Sequence, residues 1–477
     1  MSRLRSHLNP RLVLALFMIV LSASLISLAS TVGTSDSTET GTPEQQAAVR
    51  TSRDVTTLPL QSSCTVIPSK ELFVTDVSVV DDCLRTTWGP CISGTLPPAP
   101  ATQGAWTFGA RMQSLAGTTN AATLSTFTLN WLHTWSSNQT INSDPVPKRP
   151  NIQSIVIDPW LAASGGTTLD MKKAPFRLLA IVARLDLREN AGYSGGSSAG
   201  EGRFVYNLLD ASGNTTPFMV IFEYGLDAAD CAAIQNWADL WHGLGGHTFG
   251  PGYNAALQAV TDRFATIGAS PAKPNGSALN QLRTDEIELV LPSPPWELRE
   301  FKLIPPLTTP TGGPVQLTET TVAQTPAFSL QHTTAISSYV NANTPAILAN
   351  NYVVPLIWSG SPFRGGAAPN RLDLNWDGPT PICTSITDSN AREIFSLNTC
   401  NGCHGAETQT TFLQVNARNA GSPSTLSGFL TGTGTFNDMC GIPRKFNDIN
   451  RRRVDLCQLL NKTCTQINSE PPVTFVH

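Results

Sequence analysis

The chain has 477 residues, 14% of them charged, and a formal charge of −4 at pH 7. That length allows two domains with a sizeable core. The small net charge does not point to nucleic acid or an anionic membrane surface as partner, and Ser, Thr, Asn and Gln carry most of the polarity.

The N-terminus reads as a targeting segment. Arg3, Arg5 and Arg11 precede an apolar run from Leu12 to Ala29, and Ser27-Leu28-Ala29 is a small-x-small cleavage pattern. A signal peptide over 1–29 is expected, with an uncleaved N-terminal anchor as the alternative because the run is long. The first cysteine is Cys64, which argues against a lipid anchor. Residues 30–60 are polar and aperiodic and read as a tether. An exported protein, periplasmic or at the cell surface, fits the cysteine usage. Eight cysteines, Cys64, Cys83, Cys91, Cys231, Cys383, Cys440, Cys457 and Cys464, form an even set outside the motif treated below. Their spacing predicts local bridges, such as Cys83–Cys91 and a pairing among the last three.

Residues 61–380 read as an α+β domain with a mixed or antiparallel sheet. Thr75 to Asp81 predicts a short strand or turn. Ala105 to Ala116 and Ala122 to Trp135 predict helices, with a Pro-rich break after them. Strands are expected at Ile152 to Ile157, Phe176 to Leu187, Arg203 to Leu209 and Pro217 to Tyr224. Gly/Ser-rich stretches separate the last three, which predicts adjacent antiparallel strands. Helices follow at Ala228 to Leu244 and Tyr253 to Ile267, strands at Glu286 to Leu291 and Glu297 to Leu303, and a helix at Thr334 to Asn350. Grouped strands and grouped helices argue against a doubly wound parallel sheet.

No strong catalytic motif lies in this region. Asp373, Asn375, Asp377 and Gly378 make half of a calcium loop without its closing Glu, or an Asx-rich turn. His242 and His247 flank a Gly-rich loop and lack a third ligand, so a helix C-cap is the ordinary account. Arg184, Asp186, Glu201, Arg203 and Glu223 sit on or beside three expected strands. They are cross-strand pairs or part of a pocket, and alternation puts Arg203 and Tyr206 on opposite faces. Arg451, Arg452 and Arg453 predict a solvated helix face, or a docking patch for an acidic partner.

The sharpest signal is Cys400-Asn401-Gly402-Cys403-His404. It reads C-x-x-C-H, the attachment signature of haem c. Two thiols one helical turn apart can add to two vinyl groups of one porphyrin, and the next residue can ligate the iron. With this composition, chance supplies roughly 0.003 copies of the pattern. A short disulfide, a dithiol pair or half of a zinc site are the competing accounts. Asp388 or Ser389 is a good N-cap for a helix running to Thr399, with Ala391, Ile394, Phe395 and Leu397 on its apolar side.

Over the last 90 residues or so the chain resembles the cytochrome c family, on this helix and the C-x-x-C-H-G that follows it. The resemblance implies a small all-α domain over 384–477 holding one haem c. It implies thioethers at Cys400 and Cys403, an iron bond to His404, and Met439 as sixth ligand. Phe446 to Leu460 would be the C-terminal helix that packs across the first. One-electron transfer with a redox partner protein follows from the resemblance. Two other readings stay open. One is a haem-fused oxidoreductase whose substrate site lies in residues 61–380. The other is a secreted binding protein in which the motif is structural.

Overall fold

Runs of β-branched and aromatic residues form an eight-stranded antiparallel sheet. The computed structural model describes residues 64–88, 104–149, 151–188, 198–287, 296–305, 314–370, 375–405, 407–410, 414–433 and 435–469. The expected signal peptide and tether, Cys91 and Asp373 lie outside them. The described residues all belong to one compact unit, Asp54–His477.

The strands are β1 (Phe73–Val74), β2 (Phe176–Arg184), β3 (Ser198–Leu209), β4 (Thr215–Asp227), β5 (Leu279–Ile287), β6 (Trp296–Ile304), β7 (Gln316–Thr320) and β8 (Ala368–Asn370). The order is β1-β2-β3-β4-β5-β6-β8, with β7 also paired to β6. Every pairing is antiparallel. The fold is therefore α+β.

Alternation gives the sheet two different faces. Phe204, Tyr206, Phe222, Tyr224, Leu282 and Phe301 share one face and are buried in the largest apolar cluster. Four helices supply its other side: α1 (Phe108–Ala116), α2 (Ala121–Leu132), α3 (Cys231–Gly243) and α4 (Pro251–Ala265). Phe108 stacks on Phe176 with centroids 3.9 Å apart and meets Tyr206 and Phe222 edge-on. Each such ring contributes roughly 1.5–3 kcal/mol by burial.

The opposite face is mixed. Val182 pairs with Arg203, Arg203 with Glu223, and Arg184 with Glu201. Val205 pairs with Ile221, Ile221 with Arg283, and Arg283 with Glu300. Charged and apolar residues thus interleave on one surface. The C-terminal part of the chain covers it, through α5 (Ser389–Leu397), α6 (Cys400–Cys403) and α7 (Asp448–Asn461). Leu397, Cys400, Cys403, Val415, Phe429 and Leu430 join Val182, Val205, Ile221 and Leu298 in one cluster. A two-stranded hairpin, Thr435–Asn437 with Pro443–Lys445, lies in this part, so it is not helical throughout.

Several expectations are corrected. Ile152 to Ile157 is helical: a π-type turn at Gln153–Ile157 runs into a helix at Asp158–Ser164. Its β-branched residues suggested a strand, but Ile152, Val156 and Trp160 are buried at helical spacing. Val77–Val80 is a short helix, because the Asp76 carboxylate accepts from the Ser78 N–H at its start. Thr334 to Asn350 breaks into Thr334–Ala342 and Thr344–Leu348, with Pro345 opening the second helix. α7 packs chiefly on α3, the short helix Gly428–Thr431 and the turn Leu185–Leu187.

The bridges among the last three cysteines do not form. Cys457 joins Cys64, Cys464 joins Cys231, and Cys440 joins Cys383, with Cα–Cα distances of 5.7, 5.5 and 5.8 Å. The physical reason is that α7 and the helix Cys464–Ser469 lie on α3, which carries Cys231. Bridges spanning 393 and 233 residues constrain the unfolded chain strongly, on the order of 5 kcal/mol each by the chain-entropy argument. Cys83 is disulfide-bonded, and its expected partner Cys91 lies outside the described residues.

Arg418 pins the cover to the sheet. Its buried guanidinium donates to the Leu178 and Val80 carbonyls and to both Asp81 carboxylate oxygens, at 2.6–3.1 Å. Replacing Arg418 with Ala strands these acceptors and should cost about 3–5 kcal/mol in urea unfolding. A loss under about 1 kcal/mol would contradict the pinning role.

Candidate functional site

The pentapeptide is built by two successive caps. Asp388 opens α5, accepting from the Asn390 and Ala391 N–H groups at 2.9 Å. Thr399 opens α6, and its hydroxyl accepts from the Gly402 N–H at 3.0 Å. The Cys403 N–H reaches the Thr399 carbonyl and the His404 N–H reaches the Cys400 carbonyl. Cys400 and Cys403 therefore stand one helical turn apart, as the motif spacing requires. Gly402 is forced, since a Cβ there would collide with the Ser396 carbonyl oxygen. Asn401 is fixed on both sides, accepting from the Trp376 indole and donating to the Pro369 carbonyl.

Residues beyond the motif fold back on it. Thr408 and Gln414 both donate to the Cys403 carbonyl, at 2.5 and 2.9 Å. The Gln414 amide also reaches the Cys403 sulfur at 3.6 Å. The Glu407 carboxylate binds the buried Arg392 guanidinium, which also meets Asp438.

A cavity of about 60 Å³ lies between this segment and the charged face of the sheet. Cys400, His404, Gln414, Phe429 and Leu430 line it from the cover, with Arg452 from α7. Arg184, Arg203, Glu223 and Arg283 line it from the strands. The expected Arg/Glu constellation is thus brought together, and it faces the motif. It is also internally paired: Arg203 with Glu201 and Glu223, and Arg283 with Glu223 and Glu300. Arg184 binds Asp186, and so does Arg451. Arg283 was not singled out from the sequence. Its signal was the alternation of Arg283 with Leu282, read together with Arg203 on a neighbouring strand.

The arginine run of α7 is corrected. Arg451 and Arg452 are neither a solvated face nor a docking patch; both are buried and bind Asp448. A charged stretch on an amphipathic helix normally faces water, but here Arg451 meets the carboxylate of Asp186 and Arg452 that of Asp448.

Other expected site residues stay apart from the cavity. Met439 is half-buried on the turn of the C-terminal hairpin and does not line it. His242 bonds Glu71 through Nδ1 at 2.8 Å, while His247 is exposed, so the pair marks a helix end. Asp377 is buried and accepts from the Gly378 and Cys383 N–H groups, one and six residues on, so its carboxylate ties the loop to itself; neither bond is the two-residue contact of an Asx turn. Among the described residues no group of three or more His, Cys, Asp or Glu could hold a metal ion.

The electrostatics follow from burial. Burial pushes the Cys400 thiol up to about 11 against the pull of Arg283, and pushes Cys403 well above the usual thiol range. Burial lowers His404 to about 3, with Arg283 and Arg203 adding like-charge repulsion. Burial lowers Arg452 to about 10, with Arg184 the next cause. The motif therefore presents two neutral thiols and a neutral imidazole, the form that donates a lone pair to a metal.

The chain supplies the donor types that haem c attachment uses, two free thiols one turn apart and a neutral imidazole; Cys400 and His404 line the cavity and Cys403 does not. The void itself has room for a few water molecules, at roughly 10–15 Å³ each. A porphyrin plate needs the cover to stand farther from the sheet.

His404 also gives the protein a pH dependence. An unfolded histidine protonates below about 6.5, whereas His404 in the fold resists protonation until about pH 3. The unfolded state binds the extra proton in that window, so His404 removes stability as pH falls from 6.5 towards 3. The loss should reach on the order of 3–5 kcal/mol at the acid end. His404→Gln should flatten that slope in urea titrations of the haem-free protein. An unchanged slope would contradict the burial of a neutral imidazole.

Comparison with family models, with curated proteins and with solved structures finds no match to this chain.

Proposed function

We propose that the chain is an exported protein carrying one covalent haem c and working in one-electron transfer with a redox partner protein. One observation carries the reading. Cys400 and Cys403 are free thiols, whereas every other described cysteine is disulfide-bonded. An oxidising compartment that closes the rest would be expected to close a C-x-x-C pair as well, unless the pair is reserved for another bond. No described helix is long and apolar enough to cross a membrane.

Attachment would add each S–H across one vinyl C=C bond, sulfur to one carbon and hydrogen to the other. No oxidant is needed. When bound, haem supplies a one-electron Fe(III)/Fe(II) couple. Were haem bound, Cys400 and Cys403 would hold it, neutral His404 would ligate the iron, and Phe429, Leu430 and Val415 would keep water off the site. The cavity wall presents His404 and not Met439, so the proposal rests on His404.

The small cavity favours a second reading. There the motif is a packed structural turn, and the protein is an exported binding protein.

The two readings part in one preparation. The protein is expressed with its own leader in a host that matures c-type cytochromes. The first predicts a c-type pyridine haemochrome spectrum that survives denaturation and acid-acetone extraction, abolished by the double change Cys400→Ala with Cys403→Ala. A colourless wild-type protein that yields two titratable thiols on unfolding would leave the second.

A further inference from the structure

We infer that the disulfides Cys64–Cys457 and Cys231–Cys464 are a redox latch on the cover, and that their reduction lets the C-terminal segment leave the sheet and opens the cavity to Cys400, Cys403 and His404. The latch takes its purpose from the haem reading, but the opening itself is measured on the haem-free chain.

Cys400 and Cys403 are 1% and 0% exposed, and the cavity beside them holds about 60 Å³. Neither a porphyrin nor a thiol reagent reaches both sulfurs unless something moves. The sheet is held from behind, because Phe108, Trp131, Tyr206, Phe222 and Phe301 lock it to α1–α4 in one aromatic core. The cover side is the weaker seam. Its apolar cluster is smaller, and much of the rest is ion pairs: Arg188 with Asp455, Arg451 with Asp186 and Arg418 with Asp81, at 2.6, 2.8 and 2.6 Å. When the seam parts, both ions of each pair return to water, so the pairs add little net hold.

Covalent bonds make up the difference. Cys457 on α7 and Cys464 on the next helix bond to Cys64 and Cys231, which lie outside the cover. Cys383–Cys440 joins two points of the cover and does not cross the seam. α7 carries Arg452 and packs on the helix Gly428–Thr431, which carries Phe429 and Leu430, so freeing α7 loosens one wall of the cavity. The two bridges are also accessible. Cys64, Cys457 and Cys464 are half-buried, so each bridge reaches the surface through at least one of its residues. Opening is thiol–disulfide exchange with a soluble dithiol. Each bridge takes up two electrons and two protons to leave two thiols, and the dithiol departs as its disulfide. Closing is the reverse, with a disulfide oxidant taking the electrons and protons.

The test reads alkylation of Cys400 and Cys403 by iodoacetamide in the full-length, haem-free chain under native conditions, from the mass of the tryptic peptide Glu393–Arg418. Two paired changes, Cys64→Ser with Cys457→Ser and Cys231→Ser with Cys464→Ser, remove the latch and leave no stray thiol. Together they should speed alkylation at least about tenfold, because local opening governs access to a buried group. The near-UV circular dichroism of Trp131 and Trp135 should stay as in wild type, since the aromatic core is untouched. Cys383→Ser with Cys440→Ser should leave the rate within about twofold of wild type. Should the combined change abolish the near-UV signal, each pair is read alone, with a rise of about threefold expected. The latch is overturned by an unchanged rate in folded variants, by an equal rise in the Cys383 and Cys440 control, or by a rise that comes only with loss of the near-UV signal. Haem content is a separate readout. Faster alkylation in a chain that takes no haem from a haem-attaching host keeps the latch and removes the cytochrome reading, and haem uptake with an unchanged alkylation rate does the reverse.

Discussion

Charge on one face of the central sheet is the constraint on which the C-terminal half depends. Arg184, Glu201, Arg203, Glu223, Arg283 and Glu300 all lie on that face and are all buried. A buried ion deprived of its partner costs about 3–5 kcal/mol. The face therefore needs a cover that brings counter-charges as well as apolar groups. α7 brings Asp448 with Arg451 and Arg452, and Asp455 reaches Arg188. Val415, Phe429 and Leu430 fill the gaps between the ions. The motif turn is held where the two kinds of contact meet.

This explains why the pentapeptide sits against the strands of residues 176–304. The cover is tied down at its far end by disulfides to Cys64 and Cys231, while Cys383–Cys440 closes the cover on itself. Arg418 fastens its middle to Leu178, Val80 and Asp81. Polar contacts this specific fix the register of the cover more than they add net stability.

Local patterns were readable and long-range ones were not. The β-branched runs at 176–184, 203–209 and 217–224 are strands, the first ending three residues sooner than expected in the turn Leu185–Leu187, and the helix before Cys400 is capped by Asp388, because alternation and capping act over a few residues. The segment 152–157 misled, since burial against the aromatic core outweighs the strand preference of Ile and Val. Cysteine spacing misled for a different reason. Cys440, Cys457 and Cys464 are near one another in sequence, but helix packing sends each to a separate partner. Arg451 looked like a surface residue because its partner Asp186 lies 265 positions away. The motif itself was fully legible. The cavity opposite it was not, because Arg283 and Arg452 join it only through the fold.

The most direct test of the account is the mass of the tryptic peptide Glu393–Arg418, taken from protein matured in a haem-attaching host. The account predicts this peptide at its own mass plus one haem, with Cys400 and Cys403 both blocked to alkylation. A peptide found without haem, its two cysteines alkylated or joined to each other, would contradict the haem reading and leave the motif as a buried structural turn.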